Sequence, residues 1–190
     1  MSRDIDDKTQ LGFWIYLMTD IILFASLFAT FLVLRDSTFG GPSGNELFGL
    51  PFVLLETMVL LISSFSAGLG LLAALSGKKR AVLVWFGITF VLGVTFLGLE
   101  LHEFSSLVHE GHSWESSAFL SAFFTLVGTH GAHISAGLVW MGVVMWRVFK
   151  NGLTVHIKRK LTMLSLFWHF LDIIWIFIFT VVYLMGAISV

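Results

Sequence analysis

A chain of 190 residues with 57% hydrophobic and 12% charged residues, and a mean hydropathy of +0.92, carries more apolar surface than a soluble core can hide. Soluble domains have roughly 25% charged residues. The lack of cysteine excludes disulfides, thiolate metal sites, iron–sulfur clusters and cysteine nucleophiles, and a net charge of −1 gives no purchase on nucleic acid.

The polar, acidic start, Met1 to Lys8, lacks the basic region and cleavage site of a signal peptide, so the first apolar stretch is expected to stay in the mature protein. A spanning helix needs about 20 mostly apolar residues. Five stretches meet that: Leu11–Leu34, Phe52–Leu75, Val82–Leu101, Ala118–Phe149 and Leu161–Gly186. The fourth is long enough to tilt or to project beyond the bilayer. With no low-complexity linker and no repeat, the pattern predicts an all-α integral membrane protein, residues 1–190 forming a single bundle of five transmembrane helices.

Loop charge predicts its orientation. The N-terminal tail and the second and fourth loops share one side. They hold Arg3, Lys8, Lys78, Lys79, Arg80, Arg147, Lys150, Lys158, Arg159 and Lys160, whereas the other side holds only Arg35. By the positive-inside rule the N-terminus is cytoplasmic and the C-terminus, Ile188-Ser189-Val190, is periplasmic. On the outer side, Gly40-Gly41-Pro42-Ser43-Gly44-Asn45 is turn chemistry and Pro51 suits the first turn of helix two. The third loop, about 105–117, holds His109, Glu110, His112 and Glu115. These are metal-ligand types, but their spacing implies no closed geometry, and a solvated loop explains them as well. Small-xxx-small pairs at Ala25/Ala29, Ser26/Thr30, Ser63/Ala67, Ser66/Gly70 and Ala132/Ala136 are expected to let backbones approach.

Ionisable groups in hydrocarbon are costly and face protein. At a rise of about 1.5 Å per residue, Asp20, His130, His133, His169 and Asp172 fall near mid-depth, and Glu56, Glu100 and Glu103 closer to the outer face. His130/His133, Glu100/Glu103 and His169/Asp172 are spaced i, i+3, which puts each pair on one helix face. A polar layer across helices one, four and five follows if those faces converge. Three readings are open for it: hydrogen bonds that tie the bundle together, a proton relay or proton-buffering site, or haem or copper ligation by His130, His133 or His169. Trp14, Trp85, Trp140 and Trp146 read as interfacial anchors, and Trp168 and Trp175 as packing residues beside His169 and Asp172.

These residues carry a resemblance. Phe167-Trp168-His169-Phe170-Leu171-Asp172-Ile173-Ile174-Trp175 resembles the last-helix signature of the haem–copper oxidase subunit III family, and Gly128-Thr129-His130-Gly131-Ala132-His133 its preceding-helix motif. Glu103-Phe104 is similar to a Glu-aromatic pair one helix earlier. Together they run in the family's order over nearly the whole chain. The five-helix form found in bo-type ubiquinol oxidases is most similar, through Gly12–Met18, Gly40-Gly41-Pro42, Leu50–Thr57 and Leu164–Phe170.

The resemblance implies an accessory subunit of a proton-pumping quinol oxidase in the bacterial inner membrane, in contact with phospholipids. It implies no catalytic, metal or cofactor-binding residue in this chain, because haem and copper sit in the partner subunit I. It further implies that cytochrome c oxidase members carry two additional N-terminal helices, and that the family's membrane-embedded glutamate is represented here by Asp20, one methylene shorter. The nearest alternatives are subunit III of a cytochrome c oxidase or nitric oxide reductase, and beyond them an independent transporter or a freestanding haem protein. A transporter would be favoured by inverted repeats or interrupted helices, and the sequence has neither.

Overall fold

The computed structural model describes residues 2–35, 37–38, 49–111 and 114–188, so the predicted turn at 40–45 and His112 lie outside the described residues. Five helices are long and apolar enough to cross a membrane. They are α1 (Ser2–Leu34), α2 (Leu50–Leu75), α3 (Lys79–His109), α4 (Ala118–Asn151) and α5 (Val155–Ile178). A π-helical turn, Phe179–Leu184, and a short α6 (Met185–Ile188) continue α5.

The helices extend past the predicted spans wherever the sequence turns polar. The first begins at Ser2 rather than Leu11, the third ends at His109 rather than Leu101, and the fifth begins at Val155 rather than Leu161. Hydropathy marks where lipid ends, whereas a backbone helix stops only at a cap or breaker. Those caps are visible. Pro51 occupies the first turn of α2. At its other end Gly77, with φ of +74°, donates to Ala74 while Lys78 donates to Ala73. That pairing is a Schellman ending, which only a residue at ease in the left-handed region accepts. Ser117 caps α4 by accepting from the Leu120 amide, and Thr154 caps α5 by accepting from Ile157.

The short turn at Gly77 folds α3 back on α2, and these two helices have the most extensive interface in the molecule. α3 then packs on α4, α4 on α5, and α5 back on α2, closing a four-helix ring. α1 lies outside the ring, seated on α4 with slight contact to α5. Its buried residues, Leu17, Asp20, Phe24 and Phe31, recur every three, four or seven positions and form a single seam. Within the ring, small residues set the spacing. A Cβ on Gly70 would come within 2.8 Å of Phe86, and one on Gly93 within 2.8 Å of Trp168. Both of those aromatic rings are fully buried.

Candidate functional site: the buried polar groups

The mid-depth acids and histidines separate into two groups instead of one layer. On the outside of the ring, Asp20 of α1 faces His133 of α4, with Oδ1 3.7 Å from Nε2. Nδ1 of that histidine donates to the Thr129 carbonyl at 2.7 Å, which turns Nε2 toward the carboxylate. The Tyr16 hydroxyl, one turn back on α1, also lies near Asp20. On the other side of the ring, His169 of α5 shares a 2.6 Å hydrogen bond between its Nδ1 and the Ser64 hydroxyl of α2. Asp172, one turn on, lies near the same hydroxyl, and its buried Oδ1 has no hydrogen-bond partner. Helix two, absent from the expected layer, thus supplies the partner for α5, because α1 hardly touches α5.

The i, i+3 rule holds for one histidine pair and divides the other. His169 and Asp172 both lie beside Ser64 of α2, and His169 bonds to it. His130 and His133 diverge: His133 turns to α1, while His130 is fully buried inside the ring, stacked on Trp175 at 5.3 Å and edge-on to Phe96 at 6.1 Å. Residues three apart are about 60° apart around a helix, enough to face different neighbours where three elements meet. Neither nitrogen of His130 has a hydrogen-bond partner. Aromatic rings enclose it, and a porphyrin would have to displace them. Among the described residues no group of three or more His, Asp or Glu side chains is placed to hold a metal ion. In the third loop His109 ends α3, and Glu110 accepts from Ser106 at 3.3 Å.

A further set of groups escaped the sequence reading. The indole of Trp168 donates to Ser63 at 3.0 Å and that of Trp175 to Thr57 at 3.1 Å, both across the α5–α2 interface. Ser66 and Thr89 share a 2.7 Å bond across α2–α3, and Ser63 donates to the Thr89 carbonyl at 3.3 Å. The signal was present: Thr57, Ser63, Ser64 and Ser66 crowd one otherwise apolar helix. Toward the end of the bundle that holds Leu50 and His109, Glu56 of α2 lies within Coulombic range of Glu100 and Glu103 of α3, and Glu103 accepts from Tyr183 at 2.9 Å.

These features define a class: a polytopic helical membrane protein in which a subset of buried polar groups bonds helix to helix. The match to a family model is more specific. The cytochrome c oxidase subunit III family model covers residues 2–187, and the chain belongs to that family. It is 54% identical to the cytochrome bo(3) ubiquinol oxidase subunit 3 of Pseudomonas aeruginosa, over 98% of this chain and 90% of that one. It is 51% identical to the cytochrome c oxidase subunit 3 of Bacillus sp. strain PS3, over 94% and 86%. With the quinol oxidase subunit 3 of Bacillus subtilis it shares 48% over 93% and 86%.

The Bacillus PS3 relative corrects one expectation. The uncovered seventh of that cytochrome c oxidase subunit is too short for two further spans of about 20 residues each. Two additional N-terminal helices are therefore not a general mark of the cytochrome c oxidase members.

Proposed function

We propose that this chain is the non-catalytic third subunit of a haem–copper terminal oxidase, oxidising quinol and reducing dioxygen to water with proton translocation. The observation that carries the reading is 54% identity over 98% of the chain to a subunit 3 of a ubiquinol oxidase. In this reading the chain folds as a single bundle in the bacterial inner membrane, N-terminus in the cytoplasm and C-terminus in the periplasm. Ten of its 11 basic residues on one side support that orientation. Subunit I holds the haems and copper. This chain packs on it and, with phospholipid, covers apolar surface such as the outer face of α1, where only 22% of the spanning window is buried within the chain.

The Asp20–His133 pair joins α1 to the ring and serves as a local proton buffer. The carboxylate oxygen and the imidazole nitrogen stand 3.7 Å apart, close enough for each to sense the other's charge. Substituting Asp20→Asn tests this: assembly and haem content are expected to persist, while turnover lifetime or proton stoichiometry falls. If all of these stay at wild-type values, the buffering role fails.

A second reading, the third subunit of a cytochrome c oxidase, is favoured by the 51% identity to the Bacillus PS3 protein. The donor is read elsewhere in such a complex, so one experiment separates the readings. The tagged chain is pulled down in mild detergent, and the eluate is examined for partner subunits, haem absorption and oxygen consumption with quinol or cytochrome c. Haem-bearing partners with quinol-dependent consumption are the expected result. Cytochrome c-dependent consumption would move the second reading forward, and a colourless protein purifying alone would remove both.

A further inference from the structure

Three glutamates lie together near the Leu50/His109 end of the bundle, apart from Asp20 and Asp172. Glu56 is fully buried, and neither of its carboxyl oxygens has a hydrogen-bond partner. Glu100 is 2% exposed and its Oε2 is unpartnered. It lies against α4 at a glycine: a Cβ on Gly131 would come within 2.7 Å of Oε1 and push the carboxyl aside. Glu103, half-buried, accepts from Tyr183. Thus two carboxyl groups from α3 and one from α2 share a low-dielectric space.

Among the described residues no lysine or arginine stands in contact with them. Tyr183, in the π-helical turn after α5, is a neutral donor. On α4 the nearest ionisable side chain is His130, which is enclosed by Phe24, Phe96 and Trp175. On α3, His102 and Glu110 stand at the surface. The arginine at this end, Arg35, follows α1, which packs on α4 rather than on α2 or α3. Buried carboxyl groups within Coulombic reach of one another disfavour being charged together.

An opening reaches Glu103. A pocket of about 220 Å³ is lined by Phe52, His102, Glu103, Ser106 and Glu110. At about 30 Å³ per molecule it has room for several waters. It connects the bundle end to the outermost glutamate, and Glu100 and Glu56 lie behind that residue. The carboxyl oxygens are not gathered as metal ligands would be.

We propose that Glu56, Glu100 and Glu103 form a proton-binding site that holds protons in common and exchanges them with water through this pocket. Under the orientation proposed above it opens to the periplasm, but the site itself stands on its geometry whichever way the bundle is inserted. It is separate from the Asp20–His133 pair, which lies at mid-depth on the far side of α4. Glu103 is its entry, hydrogen-bonded to Tyr183, and Glu100 and Glu56 are its interior.

Infrared absorption on the chain, purified with whatever partners accompany it, tests this without reference to oxidase activity. The protonated carboxyl C=O stretch is separate from the carboxylate bands. At neutral pH, Glu100→Gln and Glu56→Gln are each expected to remove about one carboxyl's worth of the protonated band. In D2O the part lost in Glu103→Gln is expected to shift first. Filling the mouth with Ser106→Leu leaves all three glutamates in place and is expected to slow that exchange several-fold, which keeps the test open should a glutamine variant fail to assemble. Loss of carboxylate absorbance alone in the glutamine variants would overturn the proposal. So would an unchanged exchange rate in Ser106→Leu, or a protonated band that collapses on adding sodium or potassium, which would make the site a cation site.

Discussion

Helices α1 and α2 are alike in hydropathy and opposite in how they are held. Both are long and apolar enough to cross a membrane, yet 22% of the first span and 44% of the second is buried inside the chain. α2 lies in the ring between α3 and α5 and meets them through Ser63, Ser66, Ala67 and Gly70, all buried. α1 rests on α4 through one seam and turns Ile15, Ile22 and Val33 outward. In lipid, apolar side chains gain nothing from leaving one apolar medium for another. Hydropathy therefore decides that both helices cross the membrane. Backbone approach and hydroxyl bonds decide which one is bound into the core.

The sharpest way to break the comparison is to thicken α2. Gly70→Leu places atoms where Phe86 already sits at 2.8 Å, and that ring is fully buried with no room to withdraw. Overpacking of this kind costs about 3 kcal/mol. Detergent-titrated unfolding of the chain should show a loss of that order, and Gly70→Ala a smaller one. An unchanged midpoint for Gly70→Leu would mean that the α2–α3 interface is looser than the structure places it.

The next effect is that of the indole bonds. Trp168→Phe removes the donor to Ser63 and leaves a small void. Interhelical hydrogen bonds in membranes average about 0.6 kcal/mol and reach about 1.7, so with the void a loss of about 1–2 kcal/mol is expected. A double-mutant cycle with Ser63→Ala should return about 0.6 kcal/mol of coupling. Zero coupling would assign the whole loss to packing.

The sequence carried more of the fold than of the site. Leu11–Leu34 and its four successors mark the five spans because the hydrocarbon requires about 20 apolar residues, and Pro51 marks the start of α2 because its missing amide costs nothing there. Which helices adjoin is written in shape. Ser63/Ala67 and Ala25/Ala29 are the same pattern in sequence, but only the first is buried. The polar residues were legible one by one, because charge in a span stands out, while their partners were not. His130 and His133 share a helix face, yet they meet a Trp175 ring and an Asp20 carboxylate in different interfaces. Ser64, which bonds to His169, drew no attention because a serine in an apolar helix carries no charge.

Asp20 and His133 sharpen the comparison at a smaller scale. Their contact at 3.7 Å is longer than a hydrogen bond, and it sits at the edge of the ring rather than within it. His133→Gln is expected to cost less than about 1 kcal/mol in the same unfolding titration, below Trp168→Phe. A larger loss would make this pair the main attachment of α1, ahead of Leu17, Phe24 and Phe31.

The smallest effect is expected where the pattern is the same and the setting is not. Ala29 repeats on α1 the spacing that Ala67 has on α2, but it is exposed within the chain, as are Ala25, Ser26 and Thr30. Ala29→Ile adds apolar volume to a face with nothing of this chain against it, so unfolding of the isolated chain should move by no more than about 0.5 kcal/mol. Ala67→Ile, at a fully buried position, should cost several times as much. Equal effects would mean that α1 packs by its small-residue face and that its seam on α4 is wrong. The same pair of variants in the purified complex carries the argument outward: a loss for Ala29→Ile that appears only when partners are present would identify that face of α1 as one they cover.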